Sequence, residues 1–182
     1  MHSALKFFAG AAFVLLTFSG SAGAEPGKAS ASTKGPLAAL QPLAEDGRLQ
    51  MSKGDRCPVC GMFPVKRPQS AAGMMLSDGR TFYFCGNGCM LRTWRDAQVH
   101  LGVSRDLIQR MVAQDYFSGA PLDATSAFWV AGSDVIGPMG PALVVLKTMQ
   151  EVDHFKSRHG GRIVFQLDQM DDDLWNSLFP PR

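Results

Sequence analysis

The sequence predicts an α+β protein made of two related ββαβ modules, each with a small mixed or antiparallel sheet. Short runs of β-forming residues are joined by turn residues and followed by amphipathic segments, which is the pattern of hairpins that lead into helices. The same order of elements then returns in the second half of the 182-residue chain without obvious sequence identity. We place the modules at residues 55–120 and 121–182, after a signal peptide at 1–24 and a flexible leader at 25–54.

The first module is predicted to begin with a β-hairpin. Asp78-Gly79 is a strong turn signal, and the residues from Thr81 to Phe84 all favour strands. Gly86-Asn87-Gly88 ends the second strand, and the apolar residues from Met90 to Leu101 are mostly spaced as in one amphipathic helix. The pattern from Ser104 to Phe117 is ambiguous, and we favour a turn followed by a strand.

The second module repeats this order. Residues Ala127 to Ala131 and Ala142 to Leu146 are predicted strands. Thr148 and Glu151 have the spacing of a capping box, so we expect a helix to begin there. A last strand is predicted from Ile163 to Leu167. The hairpin, helix, strand order therefore occurs twice.

The N-terminus has the features of an export signal. Lys6 precedes an apolar run from Phe7 to Phe18, and Ala22-Gly23-Ala24 is the small-residue pattern at which signal peptidase cleaves. The run is shorter than the roughly 18 to 20 apolar residues of a membrane-spanning helix. We predict cleavage after Ala24 and a periplasmic protein. Because no cysteine lies near this point, we expect the mature protein to be soluble and without a lipid anchor.

Charge limits the classes of partner. Removal of residues 1–24 leaves 158 residues (182 minus 24), with 17 basic side chains (18 minus Lys6) against 16 acidic ones. This balance argues against nucleic acid or an anionic membrane as the dominant partner. Residues 25–54 are rich in Ala, Ser, Gly, Pro and Lys, which is typical of a flexible segment.

The four cysteines fall into two pairs, Cys57 with Cys60 and Cys85 with Cys89, and a methionine follows each pair closely. Thiolate and thioether sulfurs together select Cu(I), whereas thiolates alone suit Zn(II) equally well. Cys89 is predicted in the first turn of a helix, where the helix end lowers the pKa of a thiol. The pattern indicates a soft-metal site.

Disulfides and redox chemistry are the alternatives. Four cysteines permit three pairings in an oxidising compartment, but a bond across the two residues between Cys57 and Cys60 would restrict the unfolded chain little. A thiol-disulfide oxidoreductase would need Cys57 at a helix N-terminus, and Gly61 and Pro64 disfavour a helix there. No nucleophile with a base and no phosphate-binding loop is evident. We therefore predict a protein that is not an enzyme.

Three separated motifs resemble the NosL family. They are Arg56 to Phe63, which contains Cys-Pro-Val-Cys-Gly-Met, the segment Gly132 to Gly140, which contains Gly-Pro-Met-Gly, and His159-Gly160-Gly161. The resemblance extends from about Asp55 to Leu167. It implies a fold of two related ββαβ modules and a periplasmic copper-binding accessory protein, which delivers Cu(I) to nitrous oxide reductase during assembly of that enzyme's copper centres.

The chain departs from the family pattern in two ways. Many family members are lipoproteins anchored through a cysteine at the cleavage site, which this chain lacks. The second pair, Cys85 and Cys89, lies where familiar members often have no cysteines, and the combined pattern also looks like the small metal-binding modules called TRASH or YHS domains. A recipient other than nitrous oxide reductase would fit the same residues.

The predicted metal ligands comprise all four cysteines and two methionines: Cys57, Cys60, Met62, Cys85, Cys89 and Met139. For Cu(I), we expect Cys57, Cys60 and Met62 to act with Met139, which lies between two Gly-Pro-like turns in a loop that can reach the first motif. The alternative is a closed four-cysteine Zn(II) site in a structural interaction module. A copper carrier must leave its ion accessible, because the recipient, a copper enzyme or its assembly machinery, takes the ion by ligand exchange.

Overall fold

A computed structural model describes residues 35–180, which form an α+β fold of three small antiparallel sheets and four short α-helices. The predicted signal peptide at 1–24 and the first part of the predicted leader lie outside these residues. Within the described range, every helix is too short or too polar to cross a membrane. The predicted α+β class is confirmed.

The first sheet contains four strands in the order β2-β1-β3-β4, with all neighbours antiparallel. The strands are β1 (Ala72–Leu76), β2 (Thr81–Phe84), β3 (Ile108–Gln114) and β4 (Pro121–Asp123), and helices α1 (Asn87–Arg95) and α2 (Ala97–Leu101) lie between β2 and β3. The predicted turn joins β1 to β2, and Gly79 there has a φ of 85°, a conformation that glycine adopts without strain. The hairpin prediction is confirmed.

The helical segment after β2 is broken, although the sequence predicts one continuous helix. The break is at Asp96, whose φ of −127° and ψ of 61° are not helical. Its backbone N–H still donates to the Arg92 carbonyl, and its own carbonyl accepts from Val99 and His100. Aspartate has a low intrinsic helix propensity, which is consistent with a break at this position.

The second sheet repeats the arrangement of the first. Its strands are β5 (Phe128–Ser133), β8 (Val144–Leu146) and β9 (Gly160–Phe165), in the antiparallel order β8-β5-β9, and α3 (Met149–His159) connects β8 to β9. The strands β2, β1 and β3 of the first sheet have the same order, and there the helices α1 and α2 connect β2 to β3. The ββαβ arrangement therefore occurs twice. A small hairpin of β6 (Ile136–Gly137) and β7 (Gly140–Pro141) is inserted before β8, and α4 (Asp172–Leu178) ends the described chain.

The capping box predicted for the third helix is present. Thr148 Oγ1 accepts from the Glu151 N–H at 3.2 Å, and the Glu151 carboxylate accepts from the Thr148 N–H at 3.0 Å. Replacing Thr148 with alanine is expected to lower the free energy of unfolding by about 1 kcal/mol, measured by urea denaturation. Ser157→Ala on the same helix is the control, because its hydroxyl donates to a carbonyl that the helix already engages. An unchanged midpoint for Thr148→Ala would show that the box is dispensable.

The main hydrophobic core joins both sheets. Trp129 of β5 is fully buried, stacks on Phe165 at 5.9 Å between ring centroids, and donates its indole N–H to the Ala124 carbonyl at 2.9 Å. Met74 and Phe84 from the first sheet belong to the same cluster of buried side chains. Three of the four cysteines are also members of this cluster, so the cysteine motifs are anchored in the main core.

The described part of the predicted flexible leader, residues 35–54, packs on the face of the first sheet that points away from the main core. It contains no helix or strand, yet Leu43 is buried against Tyr83 and Val112. The Tyr83 hydroxyl donates to the Pro42 carbonyl at 3.0 Å. The structure differs from the prediction here because a few spaced apolar residues in a polar segment are enough to cover the second face of the sheet.

Candidate metal centre

A tight loop carries the first cysteine pair. The Gly61 N–H donates to the Cys57 carbonyl and the Cys57 N–H donates to the Met62 carbonyl, both at 2.8 Å. Gly61 has a φ of 72°, so the loop needs glycine at this position. These bonds close the loop on itself and bring Cys57 and Cys60 to one side of it.

The second pair lies where β2 passes into α1. Cys85 directly follows the last residue of the strand, and Cys89 lies in the first turn of the helix. The Ser70 hydroxyl donates to the Cys85 carbonyl at 2.8 Å, and the Cys89 N–H donates to the Gly86 carbonyl at 3.1 Å. The Sγ atoms of Cys85 and Cys89 are thereby held 3.7 Å apart.

The two pairs form one cluster of sulfur atoms. All four Sγ atoms lie within 4.8 Å of one another, and those of Cys60 and Cys85 are 3.4 Å apart. Each cysteine is a free thiol. Cys57, Cys85 and Cys89 are no more than 3% exposed, whereas Cys60 is half-buried. Cys60 is thus the sulfur through which the cluster meets its surroundings.

The donor set fits a soft metal ion. A tetrahedral ion with metal–sulfur bonds of 2.3 Å places its sulfur ligands about 3.8 Å apart. The spacings of the cysteine cluster bracket that value, so small side-chain movements would suffice to bind an ion. When all cysteine, histidine and acidic side chains of the described residues are considered, these four cysteines are the one group whose ligand atoms are close enough to share a metal ion. Four thiolates suit Zn(II) or Cu(I).

The thiols of the cluster polarise one another. Hydrogen bonds from the Cys85 and Cys89 thiols hold the pKa of Cys57 far below its usual value, and they outweigh the opposing effect of burial. The same bond to Cys57 raises the pKa of Cys85 and that of Cys89, because each donates its proton to the Cys57 sulfur. The sequence predicts a lowered pKa for Cys89, whereas in the structure the hydrogen bond to the Cys57 sulfur raises the pKa of Cys89.

Both predicted methionine ligands lie at the surface. Met62 follows the first cysteine loop and is 40% exposed. Met139 is at the tip of the β6–β7 hairpin and is 59% exposed. Met139 and Cys89 line the same small cavity of about 60 Å³, together with Pro138. The hairpin of the second module therefore reaches the Cys89 side of the cysteine cluster.

A side-chain contact that the sequence does not reveal ties the second module to the start of α1. Asn87 donates through Nδ2 to the Leu143 carbonyl at 3.0 Å. In the sequence, Asn87 is predicted only to interrupt a strand together with its flanking glycines. Gly86 lies so close to the hairpin that a Cβ there would be 3.6 Å from Pro138. The second module therefore packs against the start of α1, next to the cysteine cluster.

An oxidoreductase site receives no support from this geometry. Cys57, which such an enzyme would use as its nucleophile, is 2% exposed. The residues after it form a closed loop, and the nearest helical turn, Pro64–Lys66, begins seven residues later. The predicted absence of a helix N-terminus at this pair is therefore confirmed.

Comparison with known proteins identifies the same family as the motifs. The NosL family model matches residues 48–175. The copper-binding lipoprotein NosL of Stutzerimonas stutzeri is 28% identical over 123 residues, which are 66% of this chain and 64% of that protein. The chain thus spans less than two thirds of the length of that curated relative.

A solved structure has the same fold. The crystal structure of the copper chaperone NosL from Shewanella denitrificans matches with a TM-score of 0.56 and 17% sequence identity, and the match covers 71% of this chain and 99% of that one. Both relatives are named for copper, one as a copper-binding lipoprotein and the other as a copper chaperone.

Proposed function

The chain belongs to the NosL family, and from this we propose that it is a periplasmic Cu(I) metallochaperone that delivers copper to a copper enzyme, with nitrous oxide reductase as the recipient. The observation that carries the proposal is the cysteine cluster, in which four sulfur atoms lie within 4.8 Å of one another. Four thiolates suit Cu(I) or Zn(II), and the thioether of Met139, which lines the same cavity as Cys89, favours Cu(I). The relative from Stutzerimonas stutzeri is itself named as copper-binding.

The six predicted ligands divide into two groups by burial. Cys57, Cys85 and Cys89 are buried and hold the ion. The half-buried Cys60 and the exposed Met62 and Met139 lie where a ligand of the recipient can approach. Transfer then proceeds by replacing one sulfur at a time, so no step exposes a bare ion.

A structural Zn(II) site is the second candidate. It is favoured by the presence of four thiols within 4.8 Å of one another and by the burial of three of them, because closed structural Zn(II) sites use four ligands. In that case the protein retains its ion and the module only recruits partners. Met62 and Met139 then have no role in metal binding.

Metal competition of the reduced protein separates the two functions. We expect Cu(I) to bind more tightly than Zn(II), and Met139→Ala to weaken Cu(I) binding by about tenfold, as removal of a supporting group of a metal site does. Titration against a chromophoric Cu(I) chelator measures this. Met149→Ala is the matched control, because Met149 is also an exposed methionine but lies on α3. Tight Zn(II) binding that needs all four cysteines, with Cu(I) affinity indifferent to Met139, would establish the structural site instead.

A further inference from the structure

The surface around the first cysteine loop carries an excess of positive charge. Four exposed cationic side chains flank the loop, and we call them the basic rim: Lys53, Arg56, Lys66 and Arg67. Between residues 47 and 77 the chain has a single acidic residue, Asp55. Although the whole chain is nearly neutral, the surface around the first cysteine loop is therefore strongly basic.

Asp55 does not neutralise the basic rim. Its side chain is only 6% exposed, and its carboxylate accepts hydrogen bonds from the backbone N–H groups of Ser52 at 2.6 Å and Leu40 at 3.4 Å. No carboxylate in the described part of the chain lies within 4.0 Å of a rim cation, although Arg48 and Arg80 each form an ion pair. The charge of the rim is thus directed to solvent.

Contacts with the Phe63 ring hold two of the four rim cations next to the first cysteine loop. The Arg56 guanidinium lies 3.8 Å from the centre of the Phe63 ring, and the Lys66 ammonium lies 5.0 Å from it. Arg56 also donates to the Gly61 carbonyl at 3.2 Å, within the loop that carries Cys60. Phe63 directly follows Met62. Arg56 and Lys66 therefore lie beside two of the three accessible sulfur ligands, Cys60 and Met62.

We propose that the basic rim is the docking surface for an acidic face of the protein that accepts the copper. This inference rests on the proposed function, because docking here brings the partner's ligands to Cys60 and Met62. Complementary charge raises association rates by roughly 10-fold to 1000-fold at low ionic strength. Acidic residues of the chain itself gather elsewhere, as in the run Asp171 to Asp173. An acidic partner is thus attracted to one surface and repelled by another.

Transfer to matched peptides tests the proposal. The donor is the mature protein loaded with Cu(I), and the acceptors are two synthetic peptides with three methionines each, spaced by pairs of glutamates in one and pairs of lysines in the other. We expect copper to pass to the acidic peptide about tenfold faster at low salt, and the ratio to approach one in 0.5 M salt. Stopped-flow measurement of the rates at both salt concentrations gives this ratio.

Charge reversal locates the effect. Lys66→Glu with Arg67→Glu is expected to abolish or invert the preference for the acidic peptide. The matched control is Lys147→Glu with Arg158→Glu, which changes the net charge equally at exposed positions on or beside α3. Arg56 is left unchanged because it supports the cysteine loop.

The outcomes are distinguishable. Equal rates for the two peptides, or an equal loss in the control variant, overturn the basic rim while leaving copper binding intact. Rim-dependent sedimentation with phosphatidylglycerol vesicles, without any preference between the peptides, assigns the rim to a membrane surface and overturns the proposal. A protein that does not bind Cu(I) at all refutes the proposed function first and the docking surface with it.

Discussion

Replacing Cys85 with serine is expected to weaken Cu(I) binding by at least about 100-fold. Cys85 is fully buried, and its sulfur lies 3.4 Å from that of Cys60 and 3.7 Å from that of Cys89, so it is the centre of the cysteine cluster. Loss of a supporting group costs a metal site about 10-fold to 100-fold in affinity, and loss of a buried thiolate ligand, unlike loss of the exposed Met139 thioether, is expected to cost at least the upper value. Competition against bathocuproine disulfonate measures the change.

Ser70→Ala is the matched control for this variant. It removes the hydrogen bond from the Ser70 hydroxyl to the Cys85 carbonyl but leaves every sulfur in place, so a loss of no more than about tenfold is expected. Thermal unfolding of both metal-free variants checks that the fold persists. A Cys85→Ser protein with the original affinity would mean that the first cysteine pair and the exposed methionines bind copper without Cys85.

Replacing Trp129 with alanine is expected to lower the free energy of unfolding by about 3–5 kcal/mol. The indole is fully buried between the two sheets, stacks on Phe165, and makes a hydrogen bond to the Ala124 carbonyl. The substitution leaves a cavity and an unsatisfied carbonyl in the same place. Urea denaturation followed by circular dichroism measures the change without relying on tryptophan fluorescence.

Trp175→Ala provides the comparison for the core substitution. Trp175 lies on α4, is only half-buried, and contacts Phe179 at 4.5 Å between ring centroids. Its removal is expected to cost about 1 kcal/mol, the typical effect of a substitution outside a closed core. If both variants lost the same stability, Trp129 would not hold the two sheets together as the packing indicates.

The sequence predicts those parts of the fold that depend on local signals. The Asp78-Gly79 turn and the capping box at Thr148 are encoded within a few residues, and both are present. The repeated order of elements is equally readable, because each module carries its own strand and helix periodicities. These features need no knowledge of distant contacts.

The site itself depends on contacts that no local pattern contains. Cys60 and Cys85 are 25 residues apart, and their sulfurs meet only because the β1–β2 hairpin returns the chain beside the first loop. The sequence therefore leaves open whether the two pairs share an ion. Leu43 is another example. The composition of its segment predicts a flexible leader, whereas tertiary packing buries its side chain against the first sheet.

Because the cysteine cluster is part of the main core, metal binding is coupled to the stability of the fold. An ion that binds the folded cluster, and not the unfolded chain, stabilises the fold by about 2.7 kcal/mol at a free concentration of 100 times its dissociation constant. The cysteines belong to the same buried cluster as Phe84 and Trp129, so the added free energy of unfolding applies to the main core as well as to the metal site. Under the proposed function, the metal-free protein is the less stable form, and we expect it to be cleaved by proteases more readily than the copper-loaded form.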